Sequence, residues 1–137
     1  MITEDEVVRA VSEYLEGRGW HITQSLRTTQ KGIDLCAVKS TEQLLIEAKG
    51  GTSNLRSSAR FGKPFSGAQA KDHIGAALWK VGQLLTSYPN AKIAIALPED
   101  AYHRRYAAEI DSLLKMCQID IYWVNASLAV SLSTHQA

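Results

Sequence analysis

Residues Gly32 to Gly50 read GIDLCAVKSTEQLLIEAKG, and the fold turns on how they pair. Two runs of apolar and β-branched residues, Ile33 to Val38 and Gln43 to Ala48, flank the polar Lys39-Ser40-Thr41-Glu42, the pattern of a tight β-hairpin. A loop of those four residues sets Val38 opposite Gln43, Cys36 opposite Leu45 and Asp34 opposite Glu47. Side chains alternate across a strand, so Glu47 and Lys49 share one face while Ile46 and Ala48 take the other. Two carboxylates and a lysine then meet at the open end of the hairpin. A three-residue loop would instead pair Asp34 with Ala48 and turn Glu47 to the far side.

Carboxylates set opposite each other on a sheet repel, and a divalent cation is the natural compensation. Mg²⁺ prefers hard oxygen ligands, takes one or two carboxylates from a protein and keeps waters, and Mn²⁺ suits the same donors. A lysine beside such an ion can orient or help deprotonate an attacking water, or stabilise charge on a phosphoryl oxygen. The competing reading is a solvated cluster of Asp34, Glu47 and Lys49 on an ordinary hairpin.

Asp34 followed by Glu47-Ala48-Lys49 at the end of the next strand, after a helix carrying Glu6, resembles the PD-(D/E)XK nuclease superfamily. That group includes restriction endonucleases, Holliday-junction resolvases and repair nucleases. The resemblance spans roughly residues 3 to 97 and departs from the motif at Ile33, where the family often has Pro. It implies that Asp34, Glu47 and the backbone carbonyl of Ala48 bind Mg²⁺, that Lys49 serves the nucleophilic water, and that Glu6 helps the metal site. In some subgroups a Gln early in the next helix faces the active site, which makes Gln69 a further candidate. The implied activity is metal-dependent hydrolysis of DNA phosphodiester bonds. The alternative is a catalytically silent nucleic-acid-binding or protein-interaction module on the same fold.

The 137 residues suit one domain over 1–137 with a real core, and 45% hydrophobic with 21% charged residues is a globular balance. Neither a signal-peptide layout nor an apolar run of membrane-spanning length is present, so a soluble cytoplasmic protein with no membrane partner is expected. Cys36 and Cys117 have no CxxC or His-rich context and read as packing. The net charge of +1 does not announce a nucleic-acid binder, but its distribution is uneven. Between Ala48 and Lys71 there is no acidic residue, while Lys49, Arg56, Arg60, Lys63 and Lys71 fall there, leaving ten basic against 14 acidic residues elsewhere. Positive charge thus gathers beside the candidate metal site, where phosphate contacts are needed. Phe61 and Phe65 lie in the same Gly- and Ser-rich loop; their simplest role is to pin it to the body.

Thr3 and Glu6 form a capping box for a helix over residues 3 to 18, whose stripe is Val7, Val8, Val11, Tyr14 and Leu15. Glu6 therefore has a capping role and a metal-site role open to it together. Trp20 to Leu26 reads as a strand. Ser66 or Gly67 opens a helix to about Ser87 with Ile74, Ala77, Leu78, Val81 and Leu85 inward, and His73 on another face as a phosphate contact or a solvated residue. Lys92 to Leu97 fits a strand buried on both faces. A last helix from Pro98-Glu99-Asp100 is expected to bury Tyr102, Tyr106, Ile110, Leu113, Leu114 and Cys117, leaving His103, Arg104 and Arg105 solvated. Residues 119 to 124 make a final strand, and the tail from Ser131 is expected to fray. The order α-β-β-β-α-β-α-β predicts an α/β fold: a three-layer α/β/α, restriction-endonuclease-like domain with a mixed central sheet. A domain this small suggests structure-selective cleavage of branched or single-stranded DNA, or a repair or defence role. A homodimer would let two sites cut two strands.

Overall fold

The structure is a computed structural model that describes residues 2–25, 32–51 and 66–134. The described elements are α1 (Glu4–Glu16), β1 (His21–Ser25), β2 (Leu35–Lys39), β3 (Glu42–Ala48), α2 (Gly67–Ser87), β4 (Lys92–Pro98), α3 (Ala101–Glu109), α4 (Asp111–Met116), β5 (Asp120–Val124) and β6 (Val130–Ser133). The six strands form one sheet in chain order; β3, β4 and β5 run parallel and the outer pairs antiparallel. Helices cover both faces, giving the three-layer α/β/α arrangement with a mixed sheet.

Alternation along each strand divides the core in two. Leu35, Ala37, Leu44, Ile46, Ala94, Ala96, Tyr122 and Val124 face α1, which answers with Val7, Val8, Val11 and Leu15. Leu45, Ile93, Ile95, Leu97, Ile121 and Trp123 face α2, α3 and α4. The central strands are apolar on both faces because both are covered. Removing one such side chain, as in Leu45→Ala, costs about 2–5 kcal/mol.

The hairpin pairs Val38 with Gln43 and Cys36 with Leu45. Its ladder closes one pair further, at Lys39 and Glu42, so the turn is Ser40-Thr41 rather than four residues, with Ser40 at φ 55°. Adding that pair leaves the register and both faces unchanged.

Three expectations need correction. The last helix breaks at Ile110 into α3 and α4; His103, Ala107 and Leu114 are its buried residues, and Tyr106 and Ile110 pack partly buried against the same core as expected. His103 is 1% exposed, whereas Tyr102 and Leu113 are each 47% exposed and Cys117 lies at the surface. Small Ala107 lets α3 approach the sheet, and Asp100 provides the hydrogen bond that makes a buried imidazole tolerable. Residues 130–133 do not fray: they pair with β5 as an edge strand. On α2 the inward set also includes Ala70 and Leu84, with Leu78 and Leu85 only partly buried.

Candidate metal and phosphoryl-transfer site

The hairpin's open end meets the carboxyl end of β3, beside the neighbouring parallel strand β4. Open α/β sheets place their ligands at such strand ends. Gly32 enters at φ 134°, a conformation that L side chains rarely adopt, and Gln24 Nε2 donates to the Ile33 carbonyl at 2.7 Å. These contacts deliver Asp34 to the head of β2, where its Oδ2 accepts the Ala48 amide at 2.9 Å. Glu47, next to Ala48, lies on the sheet face covered by α2, and its carboxyl shares a hydrogen bond with Asp34. Lys49 Nζ stands 3.6 Å from Glu47 Oε1.

The carboxyl pair is under electrostatic strain. Burial first, then the charge of Asp34, push Glu47 up from 4.5 to about 8; Lys49 opposes the rise, and the hydrogen bond to Asp34 and the charge of Glu4 add to it. Burial and the neighbouring carboxylate thus favour the protonated form of Glu47. Glu47 Oε2 is buried with no hydrogen-bond partner among the described residues.

Two carboxylates, one with an oxygen that has no partner among the described residues, and the main-chain carbonyl of Ala48 are the hard oxygen donors that would suit Mg²⁺ or Mn²⁺. Among the described residues no group of three or more His, Cys, Asp or Glu side chains gathers at metal-binding distance.

Helix α1 contributes differently from the sequence pattern. Glu6 Oε1 accepts from the Thr3 amide at 3.0 Å and from Thr3 Oγ1 at 3.1 Å, so that oxygen closes the capping box. The α1 carboxylate whose charge acts on Glu47 is Glu4. Sequence reasoning missed Glu4 because the Thr-x-x-Glu spacing draws attention to Glu6. The helix start is fastened beside the site: Gly51 N donates to the Ile2 carbonyl at 2.8 Å. A Cβ on Gly50 would lie 2.3 Å from Glu4 N, so only glycine fits where β3 leaves the sheet.

The remaining candidates divide. Gln69 closes a second capping box, its Oε1 accepting the Ser66 amide at 2.8 Å, at the start of α2. His73 is half-buried, within electrostatic reach of Lys49 and hydrogen-bonded to the Gly50 backbone; burial, then Lys49 and His103, hold it below the usual histidine range. Lys71 is exposed on α2. Arg56, Arg60 and Lys63, with Phe61 and Phe65, lie outside the described residues. No helix among the described residues is long and apolar enough to cross a membrane.

No family model matches the chain, and no curated protein matches it. Among solved structures it is similar to a fdxN element excision controlling factor protein from Anabaena variabilis, with TM-score 0.57 and 17% identity over 96% of this chain and 99% of that one. It is also similar to an XisH family protein from Nostoc punctiforme, with TM-score 0.55 and 18% identity over 94% and 98% of the two chains. At these identities the likeness is one of fold, and it extends over nearly the whole of each chain.

Proposed function

We propose that the chain is a divalent-metal-dependent nuclease of the PD-(D/E)XK type that hydrolyses DNA phosphodiester bonds. The observation that carries this reading is the Asp34–Glu47 pair: two buried, hydrogen-bonded carboxyls, one oxygen of Glu47 without a partner among the described residues, and a lysine 3.6 Å away. A hairpin kept only for packing has no use for that arrangement, because each element of it costs stability. The name of one structural neighbour speaks of excision, which supports DNA as the polymer.

Asp34, Glu47 and the Ala48 carbonyl would hold the ion, which supplies a more acidic water and offsets negative charge on the phosphoryl group. Asp34 Oδ2 keeps its bond to the Ala48 amide, so the carboxylate and the carbonyl of that residue are set in one rigid unit. On binding an ion Glu47 would release its proton to solvent and act as a carboxylate ligand. The Lys49 ammonium, held by the Glu47 charge, lies where it can orient the attacking water or meet a phosphoryl oxygen. Glu4 adds negative potential from the α1 side.

The test is incubation of the purified protein with Mg²⁺ or Mn²⁺ and a panel of duplex, single-stranded, flap and four-way-junction DNA. Cleavage that needs the cation, and that is lost in Asp34→Asn and in Lys49→Ala with the fold intact, is expected. DNA binding without cleavage across the panel in Mn²⁺ would overturn the nuclease reading in favour of a silent binding module.

A further inference from the structure

The outward face of α2 carries features that neither the core nor the metal site uses. Trp79 is 75% exposed, although an indole is among the side chains that gain most from leaving water. At about 100° per residue it points directly away from the buried stripe of Ala70, Ile74, Ala77, Val81 and Leu84, so no choice of rotamer turns it into the core. Beside it lies a cavity of about 450 Å³ lined by Leu78, Trp79, Gly82, Gln83, Thr86 and Ser87. Thr86 Oγ1 donates to the Gly82 carbonyl at 3.0 Å, so the hydroxyl of that wall is satisfied within the helix. Glycine in a helix interior is destabilising relative to alanine. The middle turns of α2 nevertheless hold Gly75 and Gly82, and a Cβ on either would meet no atom within 4 Å among the described residues.

We propose that this face of α2 is the interface of a homodimer, in which the Trp79 indole of each copy fills the hollow over the partner's Gly82. A twofold contact needs one surface to supply both a projection and a recess. Trp79 and Gly82 do so three residues apart on one helix. An axis crossing α2 between Lys80 and Val81 runs the two helices antiparallel, sets each indole over the partner's Gly82, and brings Gly75 opposite the partner's Thr86.

Charge and area both agree with a second copy as the occupant. Near its axis a twofold brings like charges together, which is unfavourable. Gly75, Ala76, Trp79, Gly82, Gln83 and Thr86, the outward residues of the middle turns, are all exposed and uncharged. Asp72 falls past the last turn of the partner helix, and Lys80 points about 100° to the side. Two indoles and the walls they cover account for on the order of 700 Å². Ala76, Gln83 and Thr86 bring the contact to about 1,000 Å², the small end of specific interfaces. The dimer is therefore weak, with a Kd on the order of 10–100 μM. The opposite side of α2 covers the sheet face that carries Glu47, so the pairing leaves that face undisturbed and does not depend on the nuclease reading.

Sedimentation equilibrium of the full chain across the micromolar range, without metal or DNA, should show a monomer–dimer equilibrium. Trp79→Ala should weaken it about tenfold or more, as for central aromatic anchors of interfaces. Gly82→Gln separates the interface from the fold. Losing a helix-interior glycine should raise the thermal midpoint of the dilute monomer, while the new side chain fills the hollow and weakens the dimer by a similar factor. In a Cys117→Ser background, Gly75→Cys mixed with Thr86→Cys should give the mixed disulfide in preference to either self-pair. A wild-type chain that stays monomeric across that range overturns the inference. So does a dimer whose affinity is the same in Trp79→Ala and Gly82→Gln, or one in which the self-paired disulfides prevail. None of these readouts involves cleavage, so a protein that cuts no DNA but dimerises in this way loses the nuclease reading and keeps the interface.

Discussion

Replacing Glu47 by Gln should make the metal-free protein more stable while removing its response to metal. Burial and the neighbouring Asp34 raise this carboxyl from 4.5 to about 8. Below pH 4.5 it is protonated folded and unfolded, so it costs nothing. Across 4.5 to 8 the unfolded chain ionises and the folded one does not, so stability is lost progressively as pH rises, and above 8 the loss is complete. At about 1.4 kcal/mol per pH unit the full penalty is about 5 kcal/mol, which solvent and local relaxation reduce to about 2–3 kcal/mol. Gln is nearly isosteric and can still donate to Asp34, but it carries no charge to bury. Thermal melts without metal should therefore put Glu47→Gln about 6–9 °C above wild type at pH 9, using about 3 °C per kcal/mol for a chain of this size. The gap should narrow steadily toward pH 4.5. At pH 8.5, Mg²⁺ should raise the midpoint of wild type and leave the variant where it is. A gap between the two proteins that does not change with pH would refute the reasoning, because it would mean the carboxyl is ionised at no cost.

Other expectations follow from neighbouring contacts. Glu4→Gln should weaken Mn²⁺ binding measured by calorimetry, whereas Glu6→Gln, still able to close the capping box, should bind Mn²⁺ as wild type and lose only a few tenths of a kcal/mol in denaturant melts. Equal metal affinity in the two variants would show that Glu4's charge has no part in the site. Gly50→Ala must displace the backbone at Glu4; it should cost about 2–3 kcal/mol in urea unfolding and weaken metal binding at the same time. Replacing Arg56, Arg60 and Lys63 together with Ala should weaken binding to every DNA sequence alike and make the salt dependence shallower by a log-log slope of about 0.9 per lost duplex contact. An unchanged slope would remove these three residues from the DNA interface.

The hairpin was legible because its information is local. Alternation fixes which side chains share a face, and the observed Lys39–Glu42 pair shortens the turn without changing the register. β4 was legible for a related reason: its unbroken run of Ile and Ala suits a strand covered on both faces. The errors lie where local pattern and tertiary choice part. On α3 the bulky Tyr102 outweighs Ala107 in any hydrophobic count, yet small Ala107 is buried and Tyr102 is exposed, and His103 is buried with Asp100 there to receive it. Edge strand β6 reads as a polar tail because one of its faces is solvated. Glu4 and Glu6 stand two positions apart in one helical turn and point to nearly opposite sides, and the capping pattern carries no information about which of them the sheet end will meet.

The two carboxyls of the site lie on strands joined by a turn of two residues, whereas the covering that makes their meeting unfavourable comes from α2, β4 and α3, later in the chain. Assembly of the pair and its desolvation are thus separate events in folding. The hairpin closes through contacts near in sequence, at little entropic cost, and while it is still wet Asp34 and Glu47 repel only weakly. The strain enters when the crossover docks and water leaves. A metal that relieves this strain acts on the last consolidated contacts, so it should slow unfolding and leave the refolding rate nearly unchanged, and a chevron recorded with and without Mg²⁺ should differ in its unfolding arm.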